Sequence, residues 1–225
     1  MLKRIADIVI STTVLAICSP LLLPIAVFLR LTGEGEVFYL QQRIGRRGRP
    51  FRMVKFATML KSSPNLVGGD ITLNNDPRVL PAGRILRKTK INELPQLWNV
   101  LIGDMSLIGP RPLTPRIYAR FPDTYKEAIA PLRPGLSGIG SVVFRDEERL
   151  LGKVADSDHM YYKVITPYKA ALEEWYAEHS SVGVDLKLIV LTLAAVLNPD
   201  LDVVRFFRDL PLQAEELAIL QRPRS

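Results

Sequence analysis

The stretch KTKINELPQLWNVLIGDMSLIGPRP, residues 88 to 112, sets a carboxylate, Glu93, directly after an amide, Asn92, and then places Arg111 between Pro110 and Pro112. A carboxylate at the start of a helix stabilises the N-terminus by about 0.3–1 kcal/mol, and an asparagine there caps a free N–H, so both residues have an ordinary structural use. Their chemical use depends on company. The backbone of Arg111 is restricted by its prolines, and a preorganised guanidinium suits bidentate recognition of phosphate. A second group follows at Arg145, Asp146, Glu147 and Glu148. The single cysteine, Cys18, excludes a disulfide framework and a thiolate metal site, and the two histidines, His159 and His179, have no ligand cluster around them. Thirty basic against 23 acidic side chains give +7, a balance that fits an anionic partner: phosphate, a phospholipid surface or nucleic acid. Nucleic acid is set aside, because the basic run carries neither an aromatic stacking pattern nor a recognised motif.

Phosphate chemistry needs elements that hold cations close to an acid. At 225 residues and 48% apolar content the chain can bury a core, as one domain with attached elements. Residues 8 to 29, IVISTTVLAICSPLLLPIAVFL, carry no charge and would make about 30 Å of helix, enough to enter a membrane. Pro20, after Ser19, and Pro24 lie inside that run and predict a kink or break. Basic residues flank both ends, Lys3 and Arg4 before and Arg30 with the arginines from Arg43 onward after. Keeping both flanks on the cytoplasmic side favours a re-entrant hairpin over a single span. Asp7 stands one residue before the run. The run is too long for a signal peptide and has no clean cleavage site after it.

Beyond the anchor, alternation around glycines and Pro50 predicts a β-hairpin with strands near 36–42 and 50–56. From Gln41 to Lys61 there are seven basic residues and no acid, either a headgroup or phosphate surface or a solvated face beside the membrane. Residues 62–80 read as loop, and helical spacing resumes over Pro81–Lys88. Leu94, Leu97, Trp98 and Leu101 mark an apolar helical face that begins near Asn92 and ends at Gly103. GDMSLIGPRP reads as a turn-rich loop. RPGLSGIGSVVFRDEE reads as glycines followed by a short β-like run, and residues 157–179 read as helical. Val182–Asn198 is too short an uncharged run to span and is expected to be an interfacial or core helix. After Pro199, Leu201, Val204 and Phe207 share one face, as in a headgroup-level or packed helix.

Three blocks together, RIGRRGRPFRMVKFATM, NDPRVLPAGRILRKTKINELPQLWNVLIGDMSLIGPRPL and RPGLSGIGSVVFR, resemble the bacterial sugar transferase family, the monotopic phosphoglycosyl transferases, over about residues 3 to 190. The resemblance implies a re-entrant helix in the cytoplasmic leaflet of the bacterial inner membrane, broken at Ser19 and Pro20. It further implies transfer of a sugar phosphate from a nucleotide diphosphate sugar to polyprenyl phosphate, with Mg2+ and release of a nucleoside monophosphate. By position in the motifs, Glu93 would be the metal ligand. Arg87, Arg111 and Arg145 would meet phosphate or nucleotide, Arg145 falling twelve positions after the arginine of RPG. Glu173 would occupy the family's acidic position just before a Trp-Tyr pair, in a chain that inserts residues between Arg145 and Trp175.

Asn92 departs from the family, whose dyad is Asp-Glu with the aspartate as covalent nucleophile; an amide is a poor nucleophile toward phosphorus. Ala57 stands where the family has an arginine, and Ile139-Gly140-Ser141 where it has Trp-Ala-Gln. Three readings of Asn92 follow. The enzyme uses another carboxylate, first Asp146, then Glu147, Glu148 or Asp104, or attacks directly with the lipid phosphate. Alternatively the chain is a non-catalytic nucleotide-sugar-binding or scaffolding relative, or the asparagine is an engineered replacement. The expected fold is α+β: residues 1–32 a kinked re-entrant membrane helix with no separate soluble domain before it, and 33–225 a cytoplasmic-face catalytic-type domain. That domain comprises a small β element, helices around a phosphate site, and amphipathic interfacial helices against membrane lipids. A membrane face and a subunit interface look alike in sequence, so a homo-oligomer is compatible with it.

Overall fold

The computed structural model describes residues 1–32, 34–63, 76–145, 147–152, 154, 156, 159–198 and 200–211. Most of the expected 62–80 loop and the expected nucleophile Asp146 lie outside the described residues. The first helix, α1, runs Leu2–Leu31. It does not leave helical geometry at Ser19-Pro20, contrary to the expected break, nor at Pro24. The reason is local: Pro20 lacks the N–H that would reach the carbonyl of Ala16, and the Ser19 hydroxyl donates to that carbonyl instead at 2.8 Å.

One face of α1 lies along the rest of the molecule. Asp7, Ser11 and Leu29 are buried, with Val14, Leu15, Leu22, Ile25 and Ala26 half-buried between them at helical spacing. The opposite face exposes Ile17, Leu23, Val27, Phe28 and Leu31. At the N-terminal end, Arg4 donates to the carbonyls of Val100 (2.5 Å) and Leu101 (2.7 Å). Asp7 accepts from the Ser106 hydroxyl (2.9 Å) and the Leu107 N–H (3.0 Å). A buried carboxylate left without such donors would cost a few kcal/mol, so this pairing fixes where the helix sits. At the other end Leu29 packs with Phe56 and Leu86.

Strands β1 (Phe38–Ile44) and β2 (Pro50–Phe56) form an antiparallel hairpin, with Phe38 opposite Phe56 and Ile44 opposite Pro50. Helix α2 (Pro81–Lys88) follows, then a 3-10 turn over Ile91–Glu93 and helix α3 (Gln96–Ile102). Asn92 therefore does not cap the helix of the LPQLWNV segment. Pro95 cannot donate to the carbonyl of Ile91, so the helix restarts after it and Asn92 stays in the turn. Gly103 closes α3 in the left-handed conformation (φ 95°), as its position predicts.

Residues read as turn and as glycine loop pair with each other. Strand β3 (Ser106–Ile108) runs parallel to β4 (Gly135–Ser137), with short helices α4 (Pro115–Tyr118) and α5 (Asp123–Ile129) between them. The backbones approach so closely that a Cβ on Gly109 would lie 2.3 Å from the Arg133 carbonyl oxygen, and one on Gly135 2.2 Å from the Gly109 nitrogen. The β-like SVVF run is instead part of helix α6 (Ile139–Val143), with Ile139 and Val142 buried one turn apart. Then come α7 (Glu147–Leu151), a π-helical turn over Met160–Ile165, α8 (Thr166–His179) and α9 (Val182–Leu197). The main core joins Leu97 and Val100 of α3, Met105, Ile139, Ile165, Leu172 and Tyr176 of α8, and Leu188 of α9. Helix α9 buries Leu188, Leu191 and Ala195 and exposes Leu186, Val190, Leu193 and Leu197. The face expected around Leu201, Val204 and Phe207 is only a 3-10 turn at Val204–Phe206.

Candidate functional site

A cleft of about 1480 Å³ opens between the hairpin, α2, the Ile91–Glu93 turn, and α6 to α8. Seven residues singled out in the sequence line it: Arg87, Asn92, Glu93, Arg111, Arg145, Glu147 and Glu173. Asp104 is not among the lining residues; its carboxylate accepts from the Asn99 amide at 3.4 Å. Lys90, in the left-handed conformation at φ 59°, turns the chain between α2 and the 3-10 turn, and its carbonyl accepts from the Glu93 N–H at 3.0 Å. That reversal puts Arg87 and Glu93 on the same cleft.

The hairpin supplies two cations that motif reading missed as site residues, Arg43 and Lys55. Strand alternation was the available signal: Lys55 has the parity of Phe51 and the buried Met53, so it points inward. Asn99, fully buried on α3, accepts from the Val54 N–H (3.0 Å) and donates to the Arg52 carbonyl (2.8 Å), clipping the strand against the helix. Lys55 Nζ then lies 3.9 Å from Glu93 Oε1. Burial, opposed by Glu93 and assisted by Arg43, Arg111 and Arg87, pushes the Lys55 ammonium down to about 7. Burial works against ionisation of Glu93, but Lys55, Arg111, Lys90 and Arg87 outweigh it and hold the carboxyl below its usual range. Glu93 is thus an ionised acid among cations. Arg46, Arg47, Arg49 and Arg52, in the same basic run, do not line the cleft.

Asn92 is 5% exposed, and its side-chain oxygen has no hydrogen-bond partner. Glu93 follows it in the chain and lines the same cleft, and an amide oxygen with a carboxylate is a hard oxygen donor pair of the kind magnesium takes when substrate phosphates complete its shell. Among the described residues no group of three His, Cys, Asp or Glu side chains forms a metal cage.

The opposite wall comes from α6 to α8. Glu173 is 3% exposed and accepts from the Arg111 N–H at 3.4 Å. Burial pushes its carboxyl up to about 8, despite the N–H groups of Arg111 and Gly140 and the charges of Lys169 and Arg111. The folded chain holds this proton to about pH 8, whereas an ordinary glutamate releases it near 4.5. Stability therefore falls as pH rises across that window, and Glu173→Gln is expected to flatten the fall in melting temperature measured from pH 5 to 8.5. Gly140 makes room for this acid: a Cβ there would stand 2.7 Å from Glu173 Oε1. Gly140→Ala is expected to lower kcat/KM by about tenfold, and adding Glu173→Asp to restore most of it, which a double-mutant cycle reads directly.

With this cleft in place, comparison with known proteins is decisive: the model of the family described as bacterial sugar transferase matches residues 1–199. The chain belongs to the bacterial sugar transferase family. Among its relatives, the UDP-N-acetylgalactosamine-undecaprenyl-phosphate N-acetylgalactosaminephosphotransferase of Aeromonas hydrophila is 34% identical over 202 residues, 88% of this chain and 44% of that protein. The undecaprenyl-phosphate galactose phosphotransferase of Salmonella typhimurium is 33% identical, over 88% of this chain and 41% of that protein. The UDP-glucose:undecaprenyl-phosphate glucose-1-phosphate transferase of Caulobacter vibrioides is 34% identical, over 88% of this chain and 70% of that protein. The chain spans less than half the length of the first two relatives. All the residues that line the cleft fall within the matched residues 1–199.

Proposed function

We propose that the chain transfers a sugar 1-phosphate from a nucleotide diphosphate sugar, by the names of its relatives a UDP-sugar, to polyprenyl phosphate in the synthesis of a bacterial surface glycan. The observation that carries this reading is the convergence of Lys55, Arg87, Lys90 and Arg111 around the ionised Glu93, with Arg43 acting on Lys55, in a cleft beside an apolar helix. Two phosphate substrates repel each other, and a cationic cleft of low dielectric lowers that repulsion at the point of contact. In direct displacement an oxygen of the lipid phosphate forms a bond to the sugar-bearing phosphorus as the bond to the bridging oxygen breaks, and UMP departs with those electrons; in a two-step route a carboxylate displaces UMP in this way and the lipid phosphate then displaces the carboxylate. Magnesium, held by Glu93 with the Asn92 oxygen beside it, would supply charge neutralisation at the phosphates. The arginines orient the phosphates; Glu173 and the α8 wall exclude water.

The Asn92 amide does not take the covalent role. Either Asp146, adjoining Arg145, attacks first and then passes the sugar phosphate to the lipid, or the lipid phosphate attacks directly. Residues 1–32 serve as a re-entrant anchor in the cytoplasmic leaflet of the inner membrane, one that bends at its prolines without leaving the helix, with 33–225 on the cytoplasmic face. Support comes from α1 itself, whose two ends bear on the same body. A helix crossing an apolar layer of about 30 Å would carry one end away from it. The test is UMP release and lipid product from purified protein with undecaprenyl phosphate, magnesium and a panel of UDP-sugars. Product with an Asp146→Asn chain as active as the parent points to direct displacement. No product, with UDP-sugar binding retained, points to the non-catalytic relative that Asn92 also fits.

A further inference from the structure

We propose that residues 200–211 form a strap that positions Arg145, so that a segment outside the family match sets how firmly the cleft grips a donor phosphate. This rests on the nucleotide-sugar reading above and adds to it the element that holds one of its cations in place.

The strap lies beyond the matched residues 1–199, and none of its residues lines the cleft. It leaves α9 through a defined turn: the Asn198 side-chain oxygen accepts from the Asp200 N–H at 3.1 Å, and the Asn198 carbonyl from the Leu201 N–H at 3.2 Å. Val203, 4% exposed, closes a small apolar cluster with Val142 of α6 and Leu191 and Ala195 of α9. Its carbonyl accepts from the Phe206 N–H at 3.1 Å, which folds the chain back on itself. Phe207 then meets the Trp175 ring of α8 edge-on, with centroids 5.5 Å apart. The Lys187 ammonium donates to the Phe206 carbonyl and sits 4.4 Å from the Phe207 centroid. At the far end the Tyr168 hydroxyl donates to the Pro211 carbonyl at 3.4 Å. Moorings on α6, α8 and α9 make this a fastened segment.

Two of the moorings flank Arg145. Val142 stands three residues before it, and Tyr168 packs edge-on against Phe144, the residue directly before it, with centroids 5.5 Å apart. The strap also reaches the arginine itself: the Leu201 carbonyl accepts from Arg145 Nη2 at 3.4 Å. Sheltering apolar surface would need only Val203 and Phe207, so the carbonyl set against a cleft arginine is a further use of the segment. A carbonyl orients a guanidinium without cancelling its charge, as a carboxylate in the same place would. An arginine side chain has much rotamer freedom to lose, and holding one edge of its fork on the protein presets the other edge for phosphate. The strap therefore acts on substrate through Arg145 and is a positioning element.

The test is calorimetric binding of UDP with magnesium to the full chain in detergent, alongside UMP release with undecaprenyl phosphate and the UDP-sugar panel. Val203→Ala loosens the buried mooring, and Lys187→Met loosens the outer one at an exposed residue. Arg145→Ala by itself is expected to weaken UDP about tenfold. Each strap variant is expected to weaken UDP about fivefold in the parent and by less than about twofold in an Arg145→Ala chain, the coupling that groups in contact show. In UMP release the loss is expected in KM, with kcat within about twofold of the parent. Should Val203→Ala not fold, Lys187→Met alone decides. Equal fold-losses in both backgrounds overturn the proposal, because a strap that only shelters the core does not need Arg145. So does unchanged UDP binding in the strap variants, or a loss confined to kcat. Binding that follows these expectations without any UMP release upholds the strap and sinks the transferase reading; no UDP binding by the parent sinks both.

Discussion

Glu93→Gln is expected to lower sugar-phosphate transfer by at least about a hundredfold, the scale of loss when one preorganised charge is removed from a site of this kind. The substitution keeps size and shape and removes only charge. It takes the ionised acid from the centre of the cluster of Lys55, Arg111, Lys90 and Arg87. A glutamine holds magnesium weakly, so raising the metal concentration should recover part of the loss. Lys55, 3.9 Å from Glu93 Oε1, also loses its neutralising partner. UMP release measured against magnesium concentration is the direct readout, with near-ultraviolet circular dichroism to show that the chain folds. Activity within tenfold of the parent, at ordinary magnesium, would place the metal on other residues.

Arg111→Lys is expected to cost about a hundredfold in kcat/KM although it conserves the charge, because an ammonium cannot reproduce a planar fork on two phosphate oxygens. The argument is geometric. Pro110 and Pro112 restrict the backbone on both sides, and the Arg111 N–H is held by Glu173 Oε1 at 3.4 Å, so the side chain starts from a fixed base. The guanidinium also stands where the two walls meet, acting on Glu93 and on Lys169. Initial rates against UDP-sugar concentration test this. A lysine variant that matches the parent would mean that Arg111 provides only a diffuse field, and increasing salt would then weaken both proteins equally.

The features legible before folding are those written in local pattern. The 22 uncharged residues announce α1, and alternation around Pro50 announces the hairpin. Helical spacing finds α2, and Gly103 marks the end of α3 with the positive φ its position requires. Two local readings turned on prolines, each of which lacks the N–H that the next helical bond needs. At Pro20 the Ser19 hydroxyl fills in, so the helix continues. At Pro95 nothing does, so the helix restarts and Asn92 is left in a buried turn rather than at a cap.

The site divides along the same line. Tandem motifs single out Arg87, Glu93, Arg111, Arg145 and Glu173 because residue type and short spacing carry the phosphate chemistry, and all five line one cleft. Lys55 and Lys169 are ordinary lysines until Asn99 clips a strand to a helix and Glu147 folds back onto α8. The parallel pairing of β3 with β4 joins segments that read as turns, and it brings Gly109 against Gly135 with no space for a side chain. The sequence by itself determined the cationic character of the cleft and the apolar helix beside it, since both depend on residue types within a few turns of one another. Only the tertiary structure decided which cations surround Glu93, why Gly140 must lack a side chain opposite Glu173, and how Lys169 of α8 came to pair with Glu147. Those outcomes are set by burial and distance between segments far apart in the chain, and neither quantity exists until the core has closed.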